Sequence, residues 1–190
     1  AAIINLVSKC MPFIVVKHPE LECDDTIATL VSKHSTSGDE CVVVSTDSDF
    51  IQLLNCFNVS IYNPIKKVYI DKPDYDYVAW KALRGDATDN IRGIPGVGDK
   101  TAHKLINNPS LLREFLLDPE KRSVFERNVH LIRLVDFSND LSMLEYTEGD
   151  YKPESLKDAF QELGFDSMLK EKTWANYCKT FEEIKDVLFT

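Results

Sequence analysis

The sequence lacks the features that mark several classes of protein. Its five cysteines are odd in number and form no C-x-x-C pair, and its four histidines are dispersed, so neither a disulfide framework nor a zinc site is expected. It has no apolar run of membrane-spanning length and no basic leader. We therefore expect reduced thiols, no membrane partner and a cytoplasmic location. The chain begins without Met, which favours a fragment or a processed product.

The sequence also has fewer basic residues than acidic ones, with 22 Lys and Arg against 31 Asp and Glu. The net charge of −9 over 190 residues argues against a nonspecific polybasic nucleic-acid binder. It does not exclude nucleic acid, because acidic residues gathered around divalent cations lose much of their mutual repulsion. Basic residues on one face can still hold phosphates.

Short apolar runs alternate with helical patterns up to Leu83. Strands are predicted at residues 11–16, 41–45, 59–62 and 67–70, the first as a buried parallel strand and the second as a continuous buried strand. Helices are predicted at residues 20–34, 75–83, 110–117, 122–135, 153–163 and 166–188, and residues 1–9 resemble a helix end. The alternation favours an α/β fold with a parallel-type central sheet flanked by helices.

Residues 83–106 place a carboxylate pair beside a glycine-rich turn. Asp86 and Asp89 are three residues apart, a spacing that puts both on one side of a helical turn or bend. Three glycines follow: Gly93, Gly96 and Gly98. The next helix, with Asp99 as its expected cap, carries basic residues: Lys100, His103 and Lys104. Backbone N–H groups at such a helix start favour phosphate binding, and glycine permits close approach. The alternative is an ordinary helix–turn–helix corner.

Acidic residues recur in three groups, which are Glu22, Asp24 and Asp25; Asp47 and Asp49; and Asp86 and Asp89. The second group follows a strand, at the edge where α/β sheets bind ligands, and its two residues share a face in extended chain. Oxygen ligands select Mg²⁺ or Mn²⁺. Seven carboxylates suit two such ions, which together can activate water and stabilise the leaving oxygen of a phosphodiester.

Each acidic group also has an ordinary structural explanation. Acidic residues in a first helical turn are favoured by the helix dipole. Asp47 and Asp49 would serve as caps of the following helix. These explanations are less persuasive together, because all three groups must then be incidental.

Three motifs in order resemble those of the flap endonuclease (5′-nuclease) family: Glu22-Cys23-Asp24-Asp25, Ser45-Thr46-Asp47-Ser48-Asp49-Phe50 and residues 85–98. The likeness runs from about Met11 to about Phe137. It is greatest to bacteriophage 5′–3′ exonucleases, including phage ribonuclease H, and to the 5′-nuclease domains of bacterial DNA polymerase I. It implies a PIN-like core at 1–82, a helix–three-turn–helix DNA-binding subdomain at 83–148 and a helical C-terminal extension at 149–190.

The resemblance implies a two-metal phosphodiesterase that acts on DNA or RNA–DNA duplexes at 5′ flaps and 5′ ends. One Mg²⁺ or Mn²⁺ would be held by the more catalytic group, Glu22, Asp24, Asp25 and Asp47. The second would lie nearer Asp49, Asp86 and Asp89. The family's glycine turn binds a monovalent cation, here K⁺, and the duplex backbone. The implied DNA-binding residues are Arg92, Gly93, Gly96, Val97, Gly98, Lys100, Thr101 and Lys104.

Part of the family pattern has no counterpart in this sequence. The family begins with a strand that carries a further catalytic Asp, then a second Asp and a basic helical arch, all upstream of the motif matched by Glu22. Residues 1–21 contain none of these. We therefore expect a fragment, or a partner polypeptide that supplies the strand. The 190 residues alone should bind metal weakly and cleave poorly.

Three functions remain open on the sequence alone. The first is a flap endonuclease or 5′–3′ exonuclease of primer removal, located in the host cytoplasm if a bacteriophage encodes it. The second is a non-catalytic DNA-junction-binding module that keeps the glycine turn. The third is an α/β phosphatase acting on small esters, the weakest because it gives that turn no role. The tail from Asp150 would dock a replication partner, such as a single-strand-binding protein or a sliding clamp, or, as we favour, cover the core.

Overall fold

The computed structural model describes residue 6 and residues 9–188, with side chains described as far as residue 184. Two units divide this part of the chain. One combines the residues up to Leu21 with those from Leu141 onward, and the other is formed by residues 22–140. Most of the predicted helix end at residues 1–9 lies outside the described residues. None of the helices described is both long and apolar enough to cross a bilayer. The domain boundaries predicted near residues 82 and 148 stay a prediction.

The elements follow the chain in an α/β order. The strands are β1 (Ile14–Lys17), β2 (Cys41–Val44), β3 (Val59–Asn63), β4 (Val68–Tyr69), β5 (Gly85–Asp86), β6 (Ile91–Arg92) and β7 (Glu145–Glu148). The α-helices are α1 (Cys23–Ser37), α2 (Tyr77–Arg84), α3 (Asp99–Ile106), α4 (Pro109–Phe115), α5 (Pro119–Ile132), α6 (Pro153–Glu162) and α7 (Glu171–Leu188). A 3₁₀ helix spans Asp49–Asn55. The predicted helices are confirmed apart from their ends, the largest shift being the start of α7 at Glu171.

A three-stranded sheet with the order β2-β3-β4 forms the α/β part of the 22–140 unit. The β-branched run of β2 pairs in parallel with β3, in the register Val43↔Ile61, and β4 adds to β3 antiparallel. Val43 packs in a core shared with α1 and the 3₁₀ helix. The expectation of a continuously buried strand is wrong, because Val42 and Val44 point to the opposite face and are 49% and 62% exposed.

The first predicted strand has a different partner from the one expected. β1 is not a buried parallel strand, since it pairs antiparallel with β7 in the register Ile14↔Glu148. β7 has the sequence Glu-Tyr-Thr-Glu and is exposed along its whole length, so no apolar pattern indicated a strand there. In the same unit, α6 and α7 supply an aromatic core in which Phe160 lies 5.7 Å from Tyr177, measured between ring centroids.

Helix α2 leads directly into the short β5–β6 hairpin, and Asn128 of α5 donates a hydrogen bond to the carbonyl of Arg92 in β6. Leu83 at the end of α2 packs with residues of the glycine turn and α3. Asn108 caps α4 through the N–H of Leu111, and Asp118 caps α5 through the N–H groups of Glu120 and Lys121. The expectation that Asp99 caps α3 is wrong. Gly98 occupies the N-cap position, and Asp99, one residue inside the helix, makes no capping hydrogen bond.

The segment after α5 is tied back to the α/β part by hydrogen bonds. Gln52 of the 3₁₀ helix donates to the carbonyl of Ile132 at 2.9 Å and accepts from the N–H of Leu134 at 3.2 Å. The N–H of Val135 donates to the Asp25 carboxylate at 2.8 Å. These bonds place the C-terminal end of α5 beside the start of α1.

Two glycines let the ends of the hairpin cross at close range. Gly85 has φ +84°, and a Cβ there would lie 2.3 Å from the Gly93 nitrogen. A Cβ on Gly93 would lie 2.2 Å from the Arg84 carbonyl carbon and oxygen. Both obstacles are backbone atoms, which cannot rotate away as a flexible side chain can.

We predict that Gly93→Ala lowers the free energy of unfolding by about 3 kcal/mol, because the methyl group forces the two backbone segments apart. Gly98→Ala is the control, since a Cβ there meets nothing within 4 Å. It should cost less than about 1 kcal/mol, the scale of a poorer N-cap. Urea unfolding followed by circular dichroism measures both. Equal stability of the two variants would contradict the proposed crossing.

Candidate metal-binding active site

An open cleft of about 750 Å³ in the 22–140 unit collects acidic side chains from three separate segments. The carboxylates that line it are Glu22, Asp24, Asp25, Asp47, Asp49 and Asp89. The first three lie at the start of α1, the next two follow β2, and Asp89 lies in the β5–β6 turn. Asp86 is not among the lining residues, because it is 4% exposed and lies in β5. The structure therefore brings together groups that are up to 67 positions apart (89 − 22).

Two of these carboxylates also make local structural bonds. One oxygen of Asp47 accepts a hydrogen bond from the N–H of Asp49 at 2.9 Å. This is a capping-type contact, as expected if Asp47 served only to cap the following helix. One oxygen of Asp25 accepts the N–H of Val135. Each carboxylate has a second oxygen. These bonds fix the orientation of the two side chains and leave an oxygen for a ligand.

A tighter group joins two of these carboxylates, Asp49 and Asp89, to the buried Asp86. One carboxylate oxygen from each of Asp49, Asp86 and Asp89 lies within 4.8 Å of the other two. Asp86 is oriented by Thr88, whose N–H donates to its Oδ1 at 2.9 Å and whose hydroxyl donates to the same atom. Three oxygens at this spacing are a donor set for a hard divalent cation.

Lys81 on α2 is a central residue that sequence reasoning missed. Its side chain is buried, with the residue 3% exposed, and its ammonium group contacts both Asp49 and Asp86. Burial alone would lower the pKa of Lys81, but the two carboxylates raise it above its usual value. Burial raises the pKa of Asp86, yet Lys81 and Thr88 together hold it well below its usual range. The sequence pattern of an amphipathic helix does not indicate that one of its lysines will contact two carboxylates.

Asp24 and Asp89 are affected both by burial and by the charges of neighbouring carboxylates. Burial is the largest cause of a raised pKa at Asp24, and the charges of Asp47, Asp49 and Asp25 raise it further. Burial, followed by the charge of Asp86, raises the pKa of Asp89. An oxygen-only donor set with this excess of negative charge fits Mg²⁺ or Mn²⁺. The fit rests on donor chemistry and on the convergence of the three segments.

The residues expected to bind DNA are divided between two surfaces. Arg92 lines the acidic cleft and also an adjoining cleft of about 550 Å³, which Gly98 borders as well. Lys100, Thr101 and Lys104 are exposed on α3 and line neither cleft. Gly96 is exposed at φ +79°, and Gly93 lies at the backbone crossing described above. Val97 is 8% exposed and packs in the core, so its side chain is not on the exposed face of the turn.

Two protein-family models match the chain in succession. The first, a 5′–3′ exonuclease N-terminal resolvase-like domain, matches residues 1–81. The second, a 5′–3′ exonuclease C-terminal SAM fold, matches residues 73–145. The chain belongs to the 5′–3′ exonuclease family. This confirms the resemblance found from the three motifs.

Curated relatives include members of this exonuclease family from several bacteria. The chain is 37% identical over 106 residues to the flap endonuclease Xni of Pseudoalteromonas translucida, a match covering 51% of this chain and 41% of that protein. It is 35% identical over 178 residues to a 5′–3′ exonuclease of Aquifex aeolicus, covering 80% and 59%. The chain therefore spans about half the length of these two relatives.

A solved structure shares the exonuclease fold. It is the bacteriophage T5 D15 flap endonuclease in a complex with DNA and metal ions, matched with a TM-score of 0.51 and 21% identity over 87% of this chain and 60% of that one. The predicted α/β class with a following helical part is confirmed by this likeness and by the matched domains.

We predict that Lys81→Met lowers the free energy of unfolding by about 3 kcal/mol in metal-free buffer, because it leaves buried carboxylates without a counter-charge. Since Lys81 holds the pKa of Asp86 below its usual range, the stability from this pair should persist at pH 5. It should be lost only as the pH falls below the usual Asp value of about 3.9. Thermal and urea unfolding measure the change.

The control for this lysine is Lys33→Met, an exposed position on α1 that should change stability by less than about 0.5 kcal/mol. A Lys81→Met protein as stable as the Lys33→Met protein at pH 7 would contradict the assigned ion pairs.

We predict that Asp89→Asn raises the melting temperature of the metal-free protein by about 2 °C. The folded-state pKa of Asp89 is raised, so the stability it contributes is present at low pH and is lost as the pH rises through that pKa. At pH 7 its ionised form therefore destabilises the fold. Mg²⁺ should raise the melting temperature of the wild type more than that of Asp89→Asn. The control is Asp71→Asn, which changes an exposed acidic residue outside the cleft. If the two substitutions change the melting temperature equally, mutual repulsion in the cleft is contradicted.

Proposed function

We propose that this chain is part of a divalent-metal-dependent 5′-nuclease. The enzyme hydrolyses phosphodiesters of DNA or RNA–DNA at 5′ flaps and 5′ ends, in replication and primer removal. The observation that carries the proposal is the convergence of carboxylates from three segments on one cleft, with the glycine turn adjoining it. Family membership and the names of the relatives, flap endonuclease and 5′–3′ exonuclease, support the same reaction class.

Two divalent cations, Mg²⁺ or Mn²⁺, are assigned to the cleft in this proposal. Asp49, Asp86 and Asp89 hold one of them. The other is held by the more catalytic group, Glu22, Asp24, Asp25 and Asp47. Such ions supply charge neutralisation and water activation. The chain's own residues keep the ligands in place: Lys81 orients Asp49 and Asp86, and the N–H of Asp49 orients Asp47.

The glycine turn and α3 are assigned to the duplex. Lys100 and Lys104 are exposed on α3 and carry the positive charge that backbone phosphates require, and Thr101 offers a hydroxyl between them. The turn has a left-handed backbone at Gly96, and its main-chain groups would bind the strand and a K⁺ ion. The helical subdomain is taken as residues 83–148, and the extension at 149–190 covers the core or docks a replication partner.

The test is cleavage of a 5′-flap DNA by the complete protein with Mg²⁺. Asp47→Ala should lower the rate at least about 100-fold, the loss produced by removing roughly 2.7 kcal/mol of transition-state stabilisation. Removal of the metal with EDTA should abolish cleavage, and Asp71→Ala should cleave at the wild-type rate.

Two outcomes contradict the proposal. If the Asp47→Ala protein cleaves as fast as the wild type, the acidic cleft does not take part in the reaction. Binding of flap DNA without any Mg²⁺-dependent product, in wild type and variant alike, would instead indicate a non-catalytic junction-binding module.

A further inference from the structure

The acidic cleft is also lined by basic side chains. Its basic side chains are Arg92, Arg127, His130 and Arg133, three of them from α5 and the residue after it. Six carboxylates line the same cleft, yet among the described residues none of these four basic groups forms an ion pair with a carboxylate. The cleft therefore keeps its opposite charges apart.

Arg127 is held in a fixed orientation, although it is exposed. Its Nε and Nη2 donate to the side-chain oxygen of Asn128 at 3.3 Å and 3.0 Å. Asn128 is 0% exposed, and its Nδ2 donates to the carbonyls of Ala82 and Arg92, both at 2.9 Å. A single buried amide thus connects the Arg127 guanidinium to α2 and to the backbone of a second cleft-lining arginine.

Holding an arginine in this way prepares it for a ligand. Ordering a long side chain costs conformational entropy, and here part of that ordering is done before any ligand arrives. A guanidinium has five N–H donors, of which the bonds to Asn128 use two, so the others remain for an acceptor. The acceptors that match a guanidinium are carboxylate and phosphate oxygens. The cleft's own carboxylates do not reach it, which leaves an anion from outside.

Nucleic acid is the anion that the rest of the cleft requires. A strand entering a cleft lined by six carboxylates meets repulsion at its phosphates, and the arginines that line the same cleft offset it. A phosphate bound by one of these arginines would lie in the same cleft as the acidic groups. Such a contact positions the strand and reads no sequence.

We propose that Arg127, oriented by Asn128, binds a backbone phosphate of the strand that enters the acidic cleft, with Arg92 as a neighbouring contact. The inference rests on the proposed nuclease function and adds a strand-binding residue that the three motifs do not contain. Asn128 is a positioning residue in this arrangement, because it acts through Arg127 and through the backbone of Arg92.

The experiment compares Arg127→Gln with Arg122→Gln in the complete protein. Arg122 lies on the same helix, is exposed and pairs with Glu126 at 2.8 Å outside the cleft. Fluorescence anisotropy with a labelled 5′-flap DNA in EDTA gives Kd at several salt concentrations. Arg127→Gln should weaken binding about tenfold and reduce the slope of log K against log[salt] by about 0.9, the loss of one phosphate contact. Arg122→Gln should match the wild type in both.

Further readouts separate strand binding from a purely structural role. Arg127→Gln should raise KM for flap cleavage while kcat stays within about twofold, and its melting temperature and Mn²⁺ affinity should equal those of the wild type. Arg127→Lys keeps the charge but not the planar fork. It should therefore restore the salt slope and only part of the affinity.

The outcomes that overturn this inference differ from those that overturn the function. If the wild type cleaves flap DNA and Arg127→Gln has the Kd and salt slope of Arg122→Gln, Arg127 binds no phosphate. A lowered melting temperature with an unchanged salt slope would likewise assign Arg127 to the fold alone. If the wild type binds flap DNA and never cleaves it, the nuclease proposal fails, while a reduced salt slope in Arg127→Gln still supports the contact.

Discussion

A single buried ammonium group links the parts of the 22–140 unit that form the candidate active site. Lys81 on α2 contacts Asp49, which follows strand β2, and Asp86, which lies in the hairpin that leads to the glycine turn. This contact therefore joins the segment that follows β2 to the hairpin. Removing one partner of a buried pair leaves an uncompensated charge, so none of the three residues can be changed alone without cost.

Charge is arranged in the cleft for binding rather than for stability. Burial and, after it, the charges of neighbouring carboxylates raise the pKa values of Asp24 and Asp89, while the arginines that line the same cleft form no ion pair with its carboxylates among the described residues. Direct pairing of these arginines with the carboxylates would relieve the repulsion but would use the groups that an ion and a phosphate need. A ligand that binds only the folded state returns the lost stability through mass action. The acidic net charge of the chain and an affinity for nucleic acid are therefore compatible.

The sequence predicted those parts of the site that local patterns determine. Asp47 and Asp49 could be placed because β2 is a clear β-branched run, and a carboxylate after such a strand faces the ligand-binding edge of a sheet. The side-chain contacts of Lys81 and Arg127 could not be predicted, because they depend on how α2 and α5 pack near the hairpin. The hairpin strands have two residues each, and β7 is polar and exposed, so neither shows the alternation by which strands are recognised.

The claim on which the account depends is that carboxylates distant in the sequence share the same divalent ions. Mn²⁺ titration followed by electron paramagnetic resonance tests it directly, in the wild type, Asp24→Asn, Asp47→Asn and the double variant, because these two neighbouring carboxylates are assigned to the same ion. We predict saturable binding that each single substitution weakens, with non-additive losses in the double variant, because residues at one site are energetically coupled. Losses that simply add, or Mn²⁺ affinity that neither substitution changes, would contradict it.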